Sequence, residues 1–186
     1  MGVYARTDAE RGIWKAPAGT TARLRGALNV AARFTDEQHT HLVTNVRVNG
    51  IRDERGAGIV ATASRTLSTD VRWWFVTTRL LFNHIKASLR DGLRFVRQQP
   101  HSEELRRTVR LNVVTPFLTG LWRRGAFGSD PPEQVFTVKC DAENNPSADV
   151  DAGIFRLDVS FFPVRPAETI QVIIGQRPGG GSAAEA

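Results

Sequence analysis

His39 and His41 are the nearest this chain comes to a metal-ligand pair. Two residues apart, they would share a face on a strand. Residues 36 to 43 read as helix, however, and no third ligand stands nearby in sequence. Two solvated histidines are the expectation. Cys140 beside Asp141 has the residue types of an activated nucleophile, but a lone cysteine on a strand is more often a small apolar filler. His84, on a helix, reads equally as a partly buried hydrogen-bonding group. Gly179 to Gly181 has no strand before it and no Lys-Ser/Thr after it, so it does not read as a phosphate loop. The carboxylates after 129 lie in turns, where acids cap and solvate. No catalytic residue, metal site or cofactor is expected, and the chain is read as no enzyme.

Charge is the stronger signal. Between 71 and 124 stand eleven Lys/Arg against three acids, a local net charge of +8 in a chain whose total is +6. From 129 to 170 eight acids face three bases, or −5. Opposite poles on one small molecule point to an acidic partner, or to copies of the chain itself. A basic nucleic-acid-binding domain is the alternative, predicting duplex binding that weakens steeply with salt. It lacks a recognisable docking motif: no helix-turn-helix glycine turn and no aromatic ladder.

Two helices must carry the basic pole. The first starts near Val76, with Leu81, Ile85 and Leu89 on one face and Arg79, Lys86 and Arg90 within about 40° of one another on a second. Gly92 fits its C-cap. Residues 93 to 97 are expected as a short strand, ended by Pro100. Ser102 caps the second helix, with Glu103 and Glu104 at its positive end. Leu105, Val109, Val113, Phe117 and Leu121 step by four, and Gly125 stops it. Pro116 should kink this helix or split it.

Elsewhere the pattern is short and mixed. A helix is expected within residues 2 to 18, with Pro17 and Gly19 as breakers and Trp14 pressed onto the core. Strands are expected over 22–31, 46–51, 59–63, 134–140, 154–164 and 169–174, and a short helix runs from Thr35 or Asp36 through Val43. With 186 residues, 41% of them hydrophobic, one domain with a real core is expected. No apolar run nears the roughly 20 residues of a membrane span. No signal-peptide core opens the chain. The single cysteine excludes an internal disulfide. The sum is an α+β fold, a single mixed β-sheet with helices packed against it, spanning 1–176. Residues 177–186 form a Gly/Ala-rich tail expected to be disordered.

Several segments together resemble the C-terminal domain of contractile tail sheath proteins, from contractile phage tails and related injection systems. They are GVYARTDAERGIWKAPAG (2–19), LRGA (24–27), VNGIR (48–52), SRTLS (64–68), VTTRLLFNHIKASLRDGLRFV (76–96), FLTGLW (117–122), GAFG (125–128), FTVKCD (136–141), NP (145–146), DAG (151–153) and PAETIQVIIGQ (166–176). The block from Tyr4 to Ala18 is the most specific, since no generic fold requires it. The resemblance implies a structural subunit that stacks in six-membered rings around an acidic inner tube and contracts to drive that tube into a target cell. Implied partners are other sheath subunits, the tube, and baseplate and terminator proteins, with no nucleic acid and no membrane. Assembly would take place in the bacterial cytoplasm.

By position, the resemblance places the tube contact at Arg106, Arg107 and Arg110, with Lys86 and Arg90 as second choice. It offers Thr169, Ile170, Gln171, Val172, Ile173 and Ile174 as an inter-subunit strand, with terminal segments exchanged between neighbours by β-augmentation. Three departures stand out. Ala61-Thr62 replaces an expected Trp-Gly. Pro116 stands where a plain helix former is usual. The chain begins inside the motif at Met1-Gly2, which implies a piece of a longer protein or a reduced homologue.

Overall fold

The computed structural model describes residues 1–167. The expected inter-subunit strand Thr169–Ile174 and the tail 177–186 lie outside the described residues. Helix α1 (Gly2–Arg11) opens the chain. Gly12 follows with φ 88°, and the Trp14 ring covers the spot where a Cβ would sit. Thr35 begins α2 (Asp36–His41) with a full capping box: its side chain accepts from the Gln38 amide while the Gln38 side chain accepts from the Thr35 amide. This helix runs on as a π-helical turn, Leu42–Val46, ended by Arg47 in the left-handed region.

That extension corrects the strand expected over 46–51. Val43, Thr44 and Val46 favour strands, but a well-capped helix reaches through them. Pairing starts only at Ile51. Strand β1 (Ile51–Glu54) turns at Gly56, φ 79°, into β2 (Gly58–Ala61) in an antiparallel hairpin. The run 22–31 is no strand. Only its start lies along β2, where the Leu24 amide donates to the Ile59 carbonyl (2.8 Å) and the Ala61 amide to the Ala22 carbonyl (3.1 Å).

Helix α3 (Val76–Gly92) follows the sequence period closely: Leu81 and Ile85 are buried, and Leu89 packs on the same cluster. Gly92 is not its left-handed cap but its last residue, with φ outside that region. Residues 93–97 are a 3-10 turn, Arg94–Val96, rather than a strand. Leu93 and Val96 stand three apart and both reach the core from one side of that turn.

Ser102 caps α4 (Glu103–Thr108), its hydroxyl accepting from the Leu105 amide at 3.1 Å. A π-helical turn, Val109–Val114, then leads into α5 (Thr115–Arg123), where Pro116 occupies the first turn. Proline offers no amide and crowds the carbonyl four residues back. A widened turn just upstream accommodates both, and Pro116 thereby divides the helix. The extra residue re-phases the buried face. Val109, Val114, Leu118 and Leu121 are fully buried, in place of the expected Val113 and Phe117, which are half-buried. The helix ends in a Schellman motif: Ala126 N–H donates to the Leu121 carbonyl and Gly125 N–H to that of Trp122, with Gly125 at φ 85°.

A short α6 (Pro132–Val135) feeds β3 (Phe136–Lys139). After α7 (Ser147–Asp151), β4 (Asp158–Phe161) returns antiparallel, pairing Phe136 with Phe161 and Lys139 with Asp158. Among the described residues the strands form two separate two-stranded sheets. The class is α+β, but the single mixed sheet gives way to two antiparallel pairs, β1–β2 and β3–β4, separated in the chain by α3, α4 and α5. Helices and aromatics supply the cohesion. Phe161 meets Phe82 of α3 at 4.3 Å and Phe127 at 5.4 Å between ring centroids.

Asn145 fixes the turn between β3 and α7. It is buried, its amide donates to the carbonyls of Asp141 (3.1 Å) and Arg156 (3.0 Å), and its side-chain oxygen accepts from the Arg156 amide (2.7 Å). Asn145→Leu keeps the branching at greater bulk but leaves these groups without partners. A loss of roughly 1–3 kcal/mol is expected from urea denaturation. A loss under about 0.5 kcal/mol would show that water replaces the amide.

Candidate interaction surface

The chemistry-bearing residues do not converge. His39 and His41 lie on α2, where two residues subtend about 200°, so they point apart. Among the described residues no three His, Cys, Asp or Glu side chains are grouped to hold a metal ion. His84 is exposed beside Phe117. Cys140 is buried, its thiol facing the Arg156 carbonyl at 3.5 Å. Burial pushes that thiol above its ordinary value, against the pull of Arg106 and Arg110. A thiol held protonated is a poor nucleophile.

His39 instead ties α2 to the first hairpin. Its Nε2 lies 2.7 Å from the Thr62 hydroxyl, which donates to the Gly50 carbonyl at 2.9 Å. Burial lowers the His39 pKa, Arg52 lowers it further, and Glu54 and Asp36 oppose this. The unfolded chain therefore takes up the proton first. The stability held by neutral His39 is full above about pH 6.5 and is lost as pH falls through the folded value. The urea midpoint is expected to drop from about pH 7 to about pH 5, and less so in His39→Gln. Equal pH dependence in both proteins would remove His39 as the cause.

The arginines sort by what they already hold. Arg110 sits 3.7 Å from Asp141, and its Nε, like that of Arg106, is buried with no hydrogen-bond partner among the described residues. Both lean on the β3–α7 turn. Of the three residues expected on α4 and the turn after it, only Arg107 is exposed; Arg106 and Arg110 are half-buried. Arg79 lies over the Trp73 ring at 4.8 Å. Lys86 and Arg90, by contrast, are exposed on α3 and make no ion pair among the described residues.

They line a shallow groove of about 690 Å³ with Asn83, Ala87, Asp91, Arg94 and Arg97. Arg94 binds Asp91 at 2.8 Å. With that pair set aside, Lys86, Arg90 and Arg97 leave the groove three cations in excess. The sequence pattern marks Lys86 and Arg90 but not Arg94 and Arg97, which it places on a strand over 93–97. The 3-10 turn brings them round beside the helix. Among the described residues no aromatic side chain lines the groove to stack a base, so the nucleic-acid alternative gains nothing from it.

Comparison with protein-family profiles returns no match, and no curated protein sequence matches. Solved structures do. An extracellular contractile injection system, the PVC sheath complex in the contracted state, superposes with a TM-score of 0.88 at 30% identity, over 95% of this chain and 49% of that one. The helical sheath of the anti-feeding prophage (AFP), also contracted, gives 0.85 at 30% identity, over 95% and 49%. A chain of the AFP baseplate, 6-fold symmetrised, gives 0.85 at 30% over 95% and 48%. The chain spans about half the length of the structures it matches, and over that half it has their fold.

Proposed function

We propose that this chain, with the fold of half of a contractile sheath protein, is the inner part of a sheath subunit that polymerises around an acidic tube and contracts to drive it into a target cell. The observation that carries this is the match to the contracted PVC sheath complex over 95% of the chain. The charge layout supports it. A basic groove on α3 faces solvent, and the molecule's acids cluster elsewhere. Contraction would draw on the energy difference between two subunit packings.

In this reading Lys86 and Arg90 lead the contact with the tube, and exposed Arg107 of α4 ranks next. Arg106 and Arg110 rank lower because they already serve the β3–α7 turn. The strand Thr169–Ile174 would be donated to a neighbour's sheet. Rings of six, the baseplate and terminator as end partners, and assembly in the cytoplasm belong to the same proposal. Negative-stain electron microscopy of the intact parent protein tests it. Hollow tubes are expected, and a parent that stays monomeric beside acidic tubes would overturn it.

A further inference from the structure

The basic groove does not end at Arg97. The same side chain borders a second hollow of about 450 Å³. Five apolar side chains line it, Leu93 and Val96 from the 3-10 turn, Leu105 from α4, Phe155 and Leu157 from the segment before β4, with Gln98 and Gln99 at its polar margin. His101 stands in the wall, its ring 5.2 Å from that of Phe155. Both its ring nitrogens are buried, and neither has a partner among the described residues. An imidazole always carries at least one N–H, so an unpaired donor sits beside an apolar hollow.

We infer that this hollow and the basic groove form one two-part docking site for an acidic protein segment that inserts a single apolar side chain. The inference rests on the reading that the basic face meets an acidic protein partner. The groove supplies charge complementarity: Lys86, Arg90 and Arg97 face solvent, with Arg94 engaged by Asp91. The hollow supplies a largely apolar seat. Arg97 joins the two, so a carboxylate flanking the apolar residue meets its guanidinium. Charge alone steers and orients, whereas an apolar residue leaving water adds the short-range part of the affinity.

The probe is a pair of synthetic peptides rich in Glu and Asp, identical but for one central residue, Leu or Ser. Titrated against the full 186-residue chain, the Leu peptide is expected to bind about tenfold tighter, the worth of one buried aliphatic side chain. Arg97→Glu should weaken both peptides. Placing the variation in the peptide avoids any question of folding. Equal affinity for the two peptides would overturn the apolar seat while leaving an acidic partner in place. Failure of both to bind would overturn the two-part site, and co-sedimentation with acidic tubes then tests the partner reading separately. Self-association of the chain that Arg97→Glu abolishes would also overturn it, by making a second copy the occupant.

Discussion

Leu118→Ala lowers the free energy of unfolding by roughly 2–5 kcal/mol, read as a lower urea midpoint at unchanged slope. Leu118 is fully buried among Leu81, Ile85, Val109, Val114 and Leu121, where α5 meets α3. The size of the loss is ordinary for a core leucine. Its position is the informative part. A continuous helix from Ser102 would bury Val113 and Phe117 and turn Val114 and Leu118 aside by about 100°. The π-helical turn reverses those roles. Val114→Ala and Val113→Ala remove the same two methyl groups, so comparing them isolates the register. The first is expected to lose about 2 kcal/mol and the second clearly less. A larger loss at Val113 would mean the helix runs unbroken past Pro116.

What could be read in the sequence was local. The four-residue step of Leu81, Ile85 and Leu89 gave α3, because a long helix repeats its signal every turn. Ser102 and Gly125 marked real ends, since caps depend on neighbours within a few residues. Cys140 was legible as filler. The register after Val109 was not, although Pro116 pointed to the right place. Periodicity counting assumes a constant number of residues per turn, and one π turn breaks that assumption without any change of composition. The strands failed differently. Val46–Ile51 alternates, but alternation says nothing of whether a partner strand is near, and the capping box at Thr35 had already claimed Val46 for a helix. Asn145, buried and held by four side-chain hydrogen bonds, looked like part of a polar turn; the Asn-Pro pair at 145–146 was its only trace.

The candidate site shows the same division. Counting charges located the basic pole on 71–124. It did not show which cations were already spoken for, because Arg110 and Asp141 lie 31 positions apart in the chain. Nor did it place Arg94 and Arg97 beside Lys86 and Arg90. Those two facts reorder the candidates, moving α3 ahead of α4.

That reordering makes a second large effect. Lys86→Glu with Arg90→Glu is expected to abolish association with acidic tubes and leave the fold untouched. Both side chains are exposed and glutamate is a good helix former, but at 90 it opposes the helix dipole in the last turn, so the loss of stability should stay within about 1 kcal/mol. At an interface each reversal removes an attraction of up to about 1 kcal/mol and adds a repulsion of similar size. Two reversals then remove about 2–4 kcal/mol per subunit, roughly a 30- to 1000-fold loss. A polymer multiplies that loss along its length, so sedimentation with tubes should fall from most of the protein to background. Salt provides an independent reading. The screening length shrinks from about 10 Å at 0.1 M to about 3 Å at 1 M, so wild-type binding should weaken over that range. The double variant should have little left to lose. Arg110→Glu is the contrast, for it sets a carboxylate against Asp141 beside buried Cys140 and should reduce stability. If the Lys86/Arg90 variant sediments with tubes as the wild type does, the contact lies elsewhere, and Arg107 becomes the first residue to reverse. Contacts of this strength explain how one surface holds and releases: none is strong alone, the array grips by repetition, and a rotation that misaligns every copy undoes them together.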